Sequence, residues 1–67
     1  MDLQLLKSYM VRKGLTAKDM AEACGISTGS WFNKTQGRSS FTVREAIRIK
    51  QVLNLNNSQI SEIFFAD

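Results

Sequence analysis

One cysteine and no histidine in 67 residues leave this chain little to hold it together except its own apolar side chains. A lone Cys24 closes no internal disulfide, and without histidine a structural zinc site is short of ligands. A chain of this length buries only about 60% of the surface that its unfolded form exposes. Its apolar residues must therefore converge on one core, which predicts a single domain over 1–67. That leaves no room for a deep substrate cleft beside a separate scaffold. The missing histidine also removes the usual general base and the usual partner of a nucleophile. The chain reads as a non-enzyme, and no cofactor or metal is expected.

No apolar run approaches the ~18 residues of a membrane span. The opening MDLQLLKSYMVRKG sets an acid before its apolar residues and a lysine among them, unlike a signal peptide. A cytoplasmic chain without membrane contact is the expectation.

Proline is absent, and the apolar period is helical throughout. Leu3, Leu6 and Met10, joined by Leu5 and Tyr9, share one face of a helix over 3–13. Lys13-Gly14 stops it, with a cation in the last turn and a glycine beyond. Thr16 caps a second helix, with Asp19 at its third position as a short capping box. Met20, Ala21 and Cys24 face inward there, and Gly25 is the left-handed stop. Ser27 caps a third helix over 28–35, and a loop over 36–40 follows. Thr42-Val43-Arg44-Glu45 is a full capping box opening a fourth helix. Its apolar set is Val43, Ala46, Ile47, Ile49, Val52 and Leu53. So wide a stripe predicts burial on more than one side. Asn54 is the expected left-handed cap. Asn56 to Ser58 then begin a fifth short helix carrying Ile60, Ile63, Phe64 and Phe65. The fold class is all-α: a compact domain of five helices.

The connection Cys24-Gly25-Ile26-Ser27 has a glycine stop, an apolar residue and a serine cap. A three-to-four-residue turn with glycine between two short helices is a helix-turn-helix signature. Ala21 is small where the two helices would cross, Ile26 fills the wedge, and Trp31 anchors the third helix. Charge points the same way. All nine Lys and Arg lie between Lys7 and Lys50, against three acids, Asp19, Glu22 and Glu45, so that segment carries +6. Asp2, Glu62 and Asp67 return the whole chain to +3. A basic body suits a polyanionic partner.

Leu15-Thr16-x-x-Asp19-Met20-Ala21-x-x-Cys24-Gly25-Ile26-Ser27, then Trp31 and Gly37, resembles the phage repressor and Cro class of helix-turn-helix regulators. Phe41-Thr42-Val43-x-x-Ala46-Ile47-x-Ile49-x-x-x-Leu53-Asn54-Leu55 and Ile60-x-x-Ile63-Phe64-Phe65 are similar to its last two helices, particularly in its small Cro-like members. The resemblance spans residues 3–65 and implies a lambda-repressor-like domain that binds double-stranded DNA. It departs at Lys34, where the class often has an apolar residue, and at Gly29, which offers no side chain to a base.

In that class the third helix enters the major groove with its N-terminal residues at base edges. The resemblance makes Thr28, Gly29, Ser30 and Asn33 the candidates for base contact. Asn33 is the strongest of them, since its amide can bond adenine twice. Ala17, Lys18, Ser27, Lys34, Arg38 and Ser39 are the candidates for the DNA backbone, the first two through a helix N-terminus. Trp31 reads as core packing or as a base-stacking ring. Lys7, Arg12, Lys13, Arg44 and Arg48 read as solvated.

Such regulators bind as two-fold dimers, which makes a homodimer on DNA the expected assembly. Four large apolar residues among the six from Ile60 to Phe65 suggest a protein contact there. Ile60 and Ile63 are expected to face the domain, and Phe64 or Phe65 to meet a second copy or another phage regulator. The alternative function is a small modulator or antirepressor that docks on another repressor, with weak or no DNA binding.

Overall fold

Every helix in this structure starts on a side chain that accepts a hydrogen bond from the first turn. The computed structural model describes residues 1–65, so Asp67, one of the tail acids, lies outside the described residues. Five helices, and among those residues no strand, make up the chain. They are α1 (Leu3–Lys13), α2 (Ala17–Cys24), α3 (Thr28–Thr35), α4 (Val43–Val52) and α5 (Asn57–Phe64). Their caps are Asp2, Thr16, Ser27, Thr42 and Asn56, and at Thr16, Thr42 and Asn56 the residue at the third helical position bonds back to close a capping box. The cap of α1 by Asp2 and the box closed by Gln59 add to those legible in the sequence.

The stops repeat one device. Gly14, Gly25, Gly37 and Asn54 have positive φ, and the next residue's N–H reaches back to a carbonyl five residues earlier. The pairs are Leu15 to Met10, Ile26 to Ala21, Arg38 to Asn33 and Leu55 to Lys50. This is the Schellman arrangement, in which an apolar residue after the stop folds back onto the helix. Leu15, Ile26 and Leu55 do pack on the core, whereas Arg38 after α3 is exposed. At Gly25, φ is 72°, a conformation that costs a residue with a Cβ roughly 1–2 kcal/mol. The chain can therefore reverse between α2 and α3 in three residues.

The core takes Leu6 and Met10 from α1, Met20 and Ala21 from α2, Trp31 from α3, Ile49 from α4, Leu53 and Leu55 beyond it, and Ile63 from α5. Three rings link the last part of the fold. Trp31 meets Phe41 edge-on at 5.4 Å between centroids, and Phe41 meets Phe64 edge-on at 5.5 Å. The Asp2 N–H donates to the Ile63 carbonyl at 2.6 Å, which ties the start of α1 to α5.

The broad stripe of α4 is not buried on more than one side. Ile49 and Leu53 are fully inside, but Val43 is 79% exposed and Ile47 49%. The inner side of α4 packs on α2, and Val43 and Ile47 on its outer side stay largely or half exposed. Cys24 is half-buried with its Sγ beside the Glu45 carbonyl. Burial, helped by the Glu45 charge, pushes its thiol pKa up and keeps it protonated and unreactive. Among the described residues, no helix is long and apolar enough to cross a membrane.

Candidate nucleic-acid interface

Successive residues of a helix point about 100° apart, so burial along α3 divides it into two sectors. Ser30, Trp31, Lys34 and Thr35 are buried or half-buried. Thr28, Gly29, Phe32, Asn33 and the C-cap Gln36 are exposed, and they fall within a sector about 140° wide. That sector holds a hydroxyl, a bare backbone position, a ring and two amides, with no charge of either sign. A solvated helix face ordinarily carries Lys and Glu. Here α3 instead leaves Phe32 48% exposed beside two amides.

Three of the four base-contact candidates, Thr28, Gly29 and Asn33, lie in the exposed sector. Ser30 does not. It is half-buried, its N–H donates to Ser27 Oγ at 3.0 Å, and the Ser27 hydroxyl donates to Ser30 Oγ. Phe32 and Gln36 take up the space on the outer face. The sequence marks them only through Trp31: once that ring is fixed inward, the positions on either side of the opposite face follow.

The caps leave specific donors unused. At α2, Asp19 N–H is taken by Thr16 Oγ1 and Met20 N–H by the Thr16 carbonyl. At α3, Ser30 and Trp31 are satisfied in the same way by Ser27. The N–H groups of Ala17 and Lys18, and those of Thr28 and Gly29, remain without acceptors among the described residues, as the first turn of a helix requires. Each pair points out of a helix N-terminus, where the dipole favours an anion. Asp19 shares the first turn of α2, and its carboxylate is held below its usual range by the backbone N–H of Thr16 and then by the Thr16 hydroxyl.

Lys7 joins this region. With half-buried Ala17 and with Phe32, Thr35 and Gln36 it lines a shallow crevice where α1, the start of α2 and the outer face of α3 meet. Its sequence position, mid-helix among apolar residues, carries no sign of that. Lys18, Ser27, Arg38 and Ser39 are exposed. Arg38 Nη1 lies 3.4 Å from Asn33 Oδ1, so the guanidinium sits beside the candidate base reader.

Lys34 belongs elsewhere. Its Nζ is 2.7 Å from Glu45 Oε1 and 3.2 Å from the Ser40 carbonyl, over the ring of Phe41. The side chains of Lys34 and Glu45 are only 14% and 10% exposed. The cation expected at the DNA backbone is thus turned inward, where it fastens α3 to the start of α4. The same Glu45 oxygen also accepts the Thr42 N–H at 2.8 Å. Desolvation pulls the Glu45 pKa upward, but the Lys34 and Thr42 bonds and the Lys34 charge outweigh it, and the net shift is down.

Gly29 is not required by the fold. A Cβ added there would meet only Ser27 Oγ, at 3.9 Å, an ordinary contact. Of the two terminal aromatics expected at a partner contact, Phe64 packs on Phe41 and Phe65 is 79% exposed.

Compared with protein-family models, curated proteins and solved structures, the chain has no match.

Proposed function

We propose that this chain is a sequence-specific DNA-binding regulator of the phage repressor and Cro type, with α2, the turn at Gly25 and α3 as its helix-turn-helix. The observation that carries the reading is the exposed sector of α3, Thr28, Gly29, Phe32, Asn33 and Gln36. It presents amides, a hydroxyl and apolar surface, the groups that read base edges in the major groove, and no carboxylate to repel phosphate. Unpaired N–H groups at the starts of α2 and α3 support it, as do Lys7, Lys18, Arg38 and Ser39 around the strip. In this reading Asn33 reads a base, Thr28 touches a base edge or a thymine methyl, and Arg38 leaves Asn33 for a phosphate. A helix this short reads few base pairs, so two copies take half-sites about one helical turn apart.

Anisotropy of labelled duplexes from a selected pool, measured from 50 to 200 mM salt, tests the reading. With about four phosphates neutralised, affinity falls by roughly 10²-fold across that range. Asn33→Ala loses about 1–3 kcal/mol on the best site and relaxes one base pair, whereas Arg38→Ala weakens all sequences alike. Absence of binding to any duplex, even at low salt, would replace this reading by a modulator acting on another repressor.

Gly29 gives a second expected outcome with two readouts. Gly29→Ala stabilises the domain by up to about 1 kcal/mol in urea, because alanine suits a helix better and fits here. The same change weakens DNA binding, because the added methyl holds the backbone off the groove floor. Unchanged affinity in the stabilised variant would refute close backbone approach at Gly29.

A further inference from the structure

We propose that the groove between α4 and α5 receives an amphipathic helical segment of another protein, with carboxylates flanking its apolar side chains. The groove has a volume of about 620 Å³ and lies between the α3–α4 connection, α4 and α5. Phe41, Ile60 and Phe64 line it from the core side, while Val43, Ile47 and Phe65 line it with rings and branched chains that are 49–79% exposed. The helical spacing of Val43, Ile47 and Lys50 sets these three side chains in a row along α4.

Charge selects the occupant. The only ionisable side chains lining the groove, among the described residues, are Lys34 and Lys50. Lys34 is neutralised by Glu45. Lys50 has no carboxylate partner among the described residues: its Nζ donates to the neutral amide oxygen of Asn57. An apolar groove edged by the Lys50 ammonium and lined also by Met1, which carries the chain's amino group, with no lining carboxylate among the described residues, complements apolar anchors next to acids. A second copy of this chain fits it less well, since a two-fold contact sets groove against groove and Lys50 toward Lys50. No strand edge is present among the described residues for an extended peptide to join, which leaves a helix laid in the groove.

Gly37, Ser39 and Ser40 also line the groove, so its occupant touches the connection that carries Arg38. A partner seated there would alter phosphate contacts made by that connection. This link alone rests on the DNA-binding reading; the docking does not.

The experiment uses the full chain without DNA. Two labelled peptides of about 15 residues share apolar positions at i, i+3, i+4 and i+7 and differ in their flanks, one Glu and one Lys. In anisotropy at about 0.15 M salt the acidic peptide binds at micromolar concentration, and the basic one binds at least about 10-fold more weakly. Ile47→Glu or Val43→Glu, at exposed positions and with helicity checked by circular dichroism, abolishes binding. Lys50→Glu reverses the preference between the two peptides. Equal binding of both peptides, binding untouched by the groove variants, or no binding would overturn the proposal. So would a wild-type dimer in sedimentation that Ile47→Glu dissociates, because the occupant would then be a second copy.

Discussion

Replacing Lys34 by alanine lowers the melting temperature by roughly 10–20 °C. The pair with Glu45 is largely shielded from water, and removing one member leaves the other charge without a partner. Breaking a fully buried pair costs about 3–5 kcal/mol. The remaining exposure here brings that to roughly 2–3 kcal/mol. Each kcal/mol moves the melting point of so small a domain by about 4–8 °C. Glu45→Ala does similar damage and also unpairs the Thr42 N–H. The double variant Lys34→Met, Glu45→Gln recovers much of the loss, and a double-mutant cycle measures the coupling. Acid has the same effect as mutation. Because the folded pKa of Glu45 is depressed, its contribution is complete above the ordinary Glu value of about 4.3 and is lost as pH falls through the lower folded value. The Lys34→Met, Glu45→Gln variant therefore shows a flatter melting curve between neutral pH and pH ~3 than the wild type. If Lys34→Ala melts like the wild type, the pair does not hold α3 to α4.

Trp31→Ala removes most of the fold's stability. The ring is 2% exposed and edge-on to Phe41, which is edge-on to Phe64, so one truncation opens a cavity and breaks the only aromatic link from α3 to α5 among the described residues. Large-to-alanine changes at buried aromatic sites cost about 3–5 kcal/mol. A domain of this length holds about 3–10 kcal/mol in all. Far-ultraviolet circular dichroism should show reduced helicity at 25 °C, or a urea midpoint close to zero. Trp31→Phe retains the ring contact and falls between the two. A Trp31→Ala variant that stays folded and loses only the proposed DNA binding would make the ring a base-stacking residue instead.

The helix boundaries were legible in the sequence because each is decided within four residues. Thr16 and Asp19, Ser27, Thr42 and Glu45, Gly25 and Asn54 carry their own chemistry wherever the rest of the chain goes. What depended on distant neighbours was not legible. Glu45 was recognisable as a cap, but its second role depends on Lys34, eleven residues earlier and one helix away. The stripe on α4 has the right residues for burial, yet Val43 and Ile47 line a groove because α2 covers only one side. On α3 the anchor Trp31 was readable, but the resemblance favoured Ser30, whose hydroxyl belongs to the cap of its own helix. Phe64 and Phe65 could not be told apart without Phe41, which selects the first.

The two sectors of α3 divide responsibility as well as space. Trp31 and Lys34 hold the helix to the rest of the molecule through the Phe41 ring and the Glu45 carboxylate, while Ser30 and Thr35 bond to the Ser27 cap and the Phe32 carbonyl of the helix itself. Thr28, Gly29, Phe32 and Gln36 offer no side chain to any of these contacts, and Asn33 offers only its long bond to Arg38. Scaffold and surface are therefore separately editable. Thr28, Gly29, Asn33 and Gln36 can each change at little cost to the fold, and a lineage carrying this domain could alter the surface that α3 presents without passing through an unfolded ancestor.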